Sequence, residues 1–169
     1  MSGWTWGQAT LRLLILAGPL VALFSTALVG SRPAPWLVAL TAALSVAFAA
    51  MPESPFGSAA MLLVLAWWGI SLDDGLHPEA VLAAGGLLIS HVAALVASYG
   101  PGDLPVDAGV VRTWLGRALL VFVTAPAAWI LAAAVRDQPE PPGIWLAGLV
   151  ASIAAALVAS AAFAVRGQD

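Results

Sequence analysis

Few residues in this chain have chemistry to offer: two histidines, nine acids and six arginines, with no cysteine. His91 is the most informative of them, because it lies inside the apolar run from Glu79 to Ser98, about 10 Å from the nearer end by the helical rise. An ionisable side chain at such a depth in a membrane is a functional candidate by default. Arg117 lies at a similar depth in the run from Arg112 to Val135, and a short connection makes the two helices plausible neighbours. Together His91 and Arg117 form a candidate intramembrane polar site, suited to a proton or an anion. The competing reading is structural: His91 hydrogen-bonds a serine or a carbonyl on an adjacent helix, and Arg117 extends its stem toward lipid phosphates.

Other constellations carry less. Ser90 precedes His91, but successive helical residues point about 100° apart, so the pair cannot meet as nucleophile and base. The serine-hydrolase elbow Gly-x-Ser-x-Gly does not occur, and Gly69-Ile70-Ser71-Leu72 lacks the second glycine of the intramembrane-protease string. Asp73, Asp74, His77 and Glu79 gather three carboxylates and an imidazole, a weak candidate cation site in an outer loop. Against it, Pro78 and Glu79 read as the first turn of a helix, where proline is tolerated and negative charge suits the dipole. Asp103 and Asp107 read as residues that keep an inner loop soluble. No catalytic residue, metal centre or cofactor is assigned.

The elements that must position these residues follow from composition. With 62% hydrophobic and 9% charged residues in 169, water cannot be the main solvent. The apolar runs recur from Leu11 to Val165, so they are architecture and not a targeting signal. The absence of cysteine excludes disulfides and thiolate chemistry, and the absence of lysine excludes Schiff-base and P-loop roles. A net charge of −3 without any basic run argues against nucleic acid as a partner.

A helix needs ~20 apolar residues to cross a bilayer core, with ~17 tolerated. The runs are 11–30, 36–51, 56–72, 79–98, 112–135 and 143–165, separated by clusters of proline, glycine and acid. The fold class is therefore all-α: a single polytopic membrane domain, a bundle of six transmembrane helices. The alternative is four crossings plus a re-entrant hairpin over 36–72, since those two runs are short. Six is preferred, because a hairpin ending in the bilayer would strand Glu53 there. Arg12, Arg112, Arg117 and Arg166 then share one side against Arg32 and Arg136, which puts both termini in the cytoplasm of a bacterial cell. The eight tryptophans fall at the two interfaces of the same arrangement.

Helices in lipid associate through small residues that let backbones approach. Ridges at four-residue spacing occur at Gly18, Ala22, Thr26 and Gly30; at Ala39, Ala43 and Ala47; at Gly86, Ser90, Ala94 and Ser98; and at Gly148, Ser152, Ala156 and Ser160. Pro19 and Pro126 lie within runs and should bend their helices. The prolines and charges of the first three runs do not correspond to those of the last three, so an internal repeat of the transporter kind is not indicated.

The stretch Pro52-Glu53-Ser54-Pro55-Phe56-Gly57, the Trp67-Trp68 pair with Asp73-Asp74, the run from His91 through Tyr99-Gly100-Pro101, and Arg112-Thr113-Trp114 through Arg117 resemble a family of small actinobacterial membrane proteins of unknown function. Genes of that family often stand near those of a MoxR-type ATPase and its membrane-anchored partners. The resemblance implies an accessory role in a membrane assembly and carries no catalytic residues. Two readings remain open. One is a non-catalytic accessory or scaffold subunit whose partners are the lipid bilayer and other membrane subunits or itself. The other is a small oligomeric transporter or proton-coupled carrier that uses His91 and Arg117.

Overall fold

A computed structural model describes residues 5–72, 76–99 and 107–136, and beyond them Gly143, Leu146, Gly148, Val150, Ile153 and Ala154. The described secondary structure is helical throughout. In order it comprises α1 (Trp6–Phe24), continued by a 3-10 segment (Ser25–Val29), then α2 (Pro35–Ala50), α3 (Phe56–Ser71), α4 (Glu79–Ser98) and α5 (Ala108–Val135). The chain divides into two compact units, residues 1–134 and 135–169. In the second, Gly143 takes a positive φ of 85° and accepts a hydrogen bond from Leu146 N–H at the start of a helical stretch. The sixth expected span and its small-residue ridge lie largely outside the described residues.

Among the described residues, three helical segments are long and apolar enough to cross a membrane: Trp6–Val29, Glu79–Ser98 and Ala108–Ala134. The helices α2 and α3 have 16 residues each, about 24 Å of helix against a bilayer core of ~30 Å. Two helices start earlier than the apolar runs suggest, each because a side chain caps it. Thr5 Oγ1 accepts from Gln8 N–H and starts α1 at Trp6. Asp107 Oδ1 accepts from Val110 N–H at 2.9 Å, so Asp107 is the N-terminal cap of α5 and not merely a solubilising loop residue.

The core is built on α1 and α4, whose ridges meet as their spacing suggests. Gly18, Ala22 and Thr26 are buried, as are Gly86, Ser90 and Ala94. A Cβ on Gly18 would stand 2.4 Å from Gly86 O and 2.5 Å from Ser90 Cβ, and one on Gly86 would stand 2.8 Å from Gly18 O. Only glycine permits backbones this close. The outermost ridge members differ: Gly30 and Ser98 are exposed, and Gly30 takes the left-handed φ of 87° that ends the 3-10 segment.

The alanine ridge of α2 is not a contact face. Ala39 and Ala43 are exposed, whereas Leu37, Thr41, Ser45, Phe48 and Ala49 are buried. The physical reason is the fit of Phe48 against α3, where a Cβ on Gly57 would stand 2.4 Å from the Phe48 ring. A glycine pocket for one ring gives α2 more contact than a row of methyl groups, and the alanines turn outward. On α5, the half-buried residues Trp114, Ala118, Phe122, Pro126 and Trp129 form one stripe at three- and four-residue spacing. Phe122 on that stripe packs over Gly85 of α4, and the opposite face is exposed and apolar.

Candidate polar site beneath the helical hairpin

Polar side chains inside the bundle are few, and several of them satisfy backbone carbonyls that helix geometry leaves without partners. Pro19 has no N–H, so Ile15 O loses the donor that an unbroken helix would supply. Ser90 Oγ donates to that oxygen at 2.8 Å from α4 in a fully buried position. Near the other end of α1, Trp68 Nε1 donates to Ala22 O at 2.9 Å and Trp67 Nε1 to Thr26 Oγ1 at 3.3 Å. These two tryptophans therefore tie α3 to α1, whatever they also do at an interface. Trp6 and Trp36 are exposed, as a membrane belt requires.

The last carbonyls of α2 also find a partner. Arg12 Nη1 on α1 donates to Ala50 O at 3.0 Å and to Ala49 O. A cation here meets both the orphan carbonyls and the negative end of the helix dipole. The contact fixes the level of the hairpin formed by α2 and α3. Its tip, from Met51 to Pro55, lies close to the level of Arg12, six residues into α1, and of His91, Ala94 and Leu95 in the second half of α4. By the helical rise the tip thus stops roughly 5–10 Å, one to two turns, short of the adjacent ends of α1 at Trp6 and α4 at Ser98.

Beneath this short hairpin is a pocket of about 110 Å³ lined by Phe48, Pro52, Ser54, Gly57 and Ser58 on one side and His91, Ala94 and Leu95 on the other. Ser54 Oγ donates to Met51 O at 2.6 Å and closes the turn at the tip, and Ser54 N–H donates to the same oxygen. His91 is exposed from the protein's own packing and faces this pocket. Gly57 contributes by absence of bulk, since any side chain there would collide with Phe48. No sequence signal links Ser54 or Ser58 to His91, because the connection depends on where the tip stops along α4.

The expected partner of His91 has other surroundings. Arg117 Cζ lies 5.3 Å from the Trp114 ring centroid on α5, a cation–π arrangement, and the Trp114 ring in turn meets Tyr99 at 6.2 Å. The α5 helix faces Gly85, Leu88 and Ile89 of α4 across an apolar groove, whereas His91 opens toward the hairpin. In the outer loop, Asp73 and Asp74 lie outside the described residues. His77 and Glu79 are half-buried, and Glu79 opens α4. His77 O accepts from Ala80 N–H, which makes this segment the start of a helix as its proline and acid suggest. Among the described residues no group of three or more histidines and acids is placed to hold a metal ion. No family model, curated protein or solved structure matches the chain.

Proposed function

We propose that this chain is a non-catalytic integral membrane protein, an accessory or scaffold subunit that packs against other membrane subunits or further copies of itself. The observation that supports this most directly is the use of the intramembrane polar groups. Ser90, Trp67, Trp68 and Arg12 all hold one helix to another. Side chains committed to backbone carbonyls or, for Trp67, to the Thr26 hydroxyl rigidify a bundle, and among the described residues the apolar outer face of α5 leaves a broad surface for lipid or a neighbouring subunit. The resemblance to membrane proteins encoded beside a MoxR-type ATPase points the same way.

In this reading the chain belongs to the cytoplasmic membrane of a bacterium and crosses it six times with both termini inside. Support for six crossings comes from Glu53, which is exposed at the hairpin tip. An ionised carboxylate there needs water, and the recess between the tip and the ends of α1 and α4 supplies a route for it. The carrier reading draws on His91 and its pocket. Purification in mild detergent separates the two: a stoichiometric membrane partner that survives size exclusion supports the scaffold, and a homo-oligomer that moves protons or a solute in liposomes overturns it.

A further inference from the structure

The α2–α3 hairpin has a consequence for His91 that is independent of the scaffold reading. An imidazole in the middle of a spanning helix, exposed from the protein, would face hydrocarbon unless something polar stood beside it. The hairpin tip stands there. The hydroxyl of Ser54 at the tip, that of Ser58 in the first turn of α3 and the His91 ring border a single pocket, open on one side. The other pockets described are walled almost wholly by apolar side chains, as in the groove of Gly85, Leu88, Leu115, Ala118 and Phe122 between α4 and α5. A volume of about 110 Å³ holds several waters, since roughly 10–15 Å³ measured this way accommodates one given two or more polar partners.

We propose that this pocket is a hydrated site in which His91, Ser54 and Ser58 bind water continuous with the aqueous phase on the side of the hairpin tip. Of the described charged groups, Glu53 stands on the tip itself and Arg12 of α1 is engaged with the end of α2. From α4 itself the pocket takes only Ala94 and Leu95 besides His91, and α5 contributes no residue to its lining. The hairpin thus brings water to a depth that the length of α4 alone would deny it. The species bound is water, because the lining offers scattered single hydroxyls and an imidazole with no charged side chain among them.

The native chain has no cysteine, so single reporters can be placed without background. His91→Cys, Ser54→Cys and Ile89→Cys would be made in the full-length protein, and each treated with a membrane-impermeant thiosulfonate in right-side-out and inside-out vesicles. Ile89 is exposed on the same helix but away from the pocket. The thiolate is the reacting species and forms only where water reaches the sulfur, so cysteine at 91 should react about tenfold or more faster than cysteine at 89. It should do so only from the side that labels Ser54→Cys, whichever side that proves to be. Adding Ser58→Leu, which fills the pocket from α3, should slow labelling at 91 and leave Ser54→Cys reactive. Monodisperse elution in detergent guards against misfolding. Failure of His91→Cys to react from the Ser54 side, or reaction no faster than at 89, overturns the proposal, as does indifference to Ser58→Leu.

Discussion

Pro19 and Ser90 act as one unit, although they sit on different helices. Proline withdraws a donor from Ile15 O, and the serine hydroxyl restores it across the α1–α4 contact. Ser90→Ala should therefore lower stability in detergent by about 1 kcal/mol, the cost of leaving a buried acceptor unpaired. In a Pro19→Ala background the same change should cost measurably less, because the N–H that alanine introduces can bond Ile15 O within α1. A double-mutant cycle from thermal or denaturant melts gives the coupling, and additive losses would show that the Ser90 contact does not compensate for the proline. The sequence reveals Ser90 as a ridge member and Pro19 as a kink. It does not reveal that each answers the other, since that depends on the register between two helices. The setting of His91 is hidden for a similar reason. Its helix is apolar or small on every side, so no pattern tells which face meets the hairpin. Asp107 was legible in principle: an acid just ahead of an apolar helix is a capping signal, masked here by neighbouring prolines and glycines.

At the scale of elements, small-residue spacing identifies contact faces only where glycine takes part. The ridges of α1 and α4 carry Gly18 and Gly86 and meet backbone to backbone, whereas the ridge of α2 is alanine alone, exposed at Ala39 and Ala43 and half-buried at Ala47. Alanine is common enough in this chain to fall into such rows without a partner. Gly18→Leu should accordingly abolish recovery of folded protein, because the backbone of α4 has no room to retreat, and Ala43→Leu should leave it unchanged. Size-exclusion profiles in mild detergent compare the two directly. Equal recovery would mean that the α1–α4 approach is not what holds the bundle. The end of α2 offers a second check on element packing. Arg12→Ala removes the donor to Ala49 O and Ala50 O and should cost on the order of 1–2 kcal/mol in melts, with lysine restoring part of it, because both bonds come from one nitrogen and an ammonium also carries several donors. Full stability of Arg12→Ala would place the guanidinium outside the forces that fix the hairpin.

For the whole molecule the decisive quantity is the number of crossings, which the arginine count and the hairpin length address differently. In the six-span reading arginine asymmetry orients the chain, but Arg12, which that reading places inside, is engaged with the end of α2, so its position is set by packing and is a weaker guide to membrane polarity. Hairpin length alone favours a dip, since 16 residues fall short of a bilayer core. The tip's position tilts the balance back. It stops one to two turns short of the ends of α1 and α4, a deficit of roughly 5–10 Å, which local thinning or a hydrated recess accommodates at a fraction of a kcal/mol per Å. Reporters at Ser31, Ser54 and Ser98 decide between the two arrangements without reference to either terminus. With six crossings, cysteines at 54 and 98 label from one side and a cysteine at 31 from the other. With a re-entrant hairpin, 54 is protected or follows 31. The expected result is that Ser54→Cys and Ser98→Cys react in inside-out vesicles and Ser31→Cys in intact cells. Agreement of 54 with 31 would convert α2 and α3 from spans into a loop that enters and leaves by the outer face, and would place Glu53 where a charge can persist only with a partner.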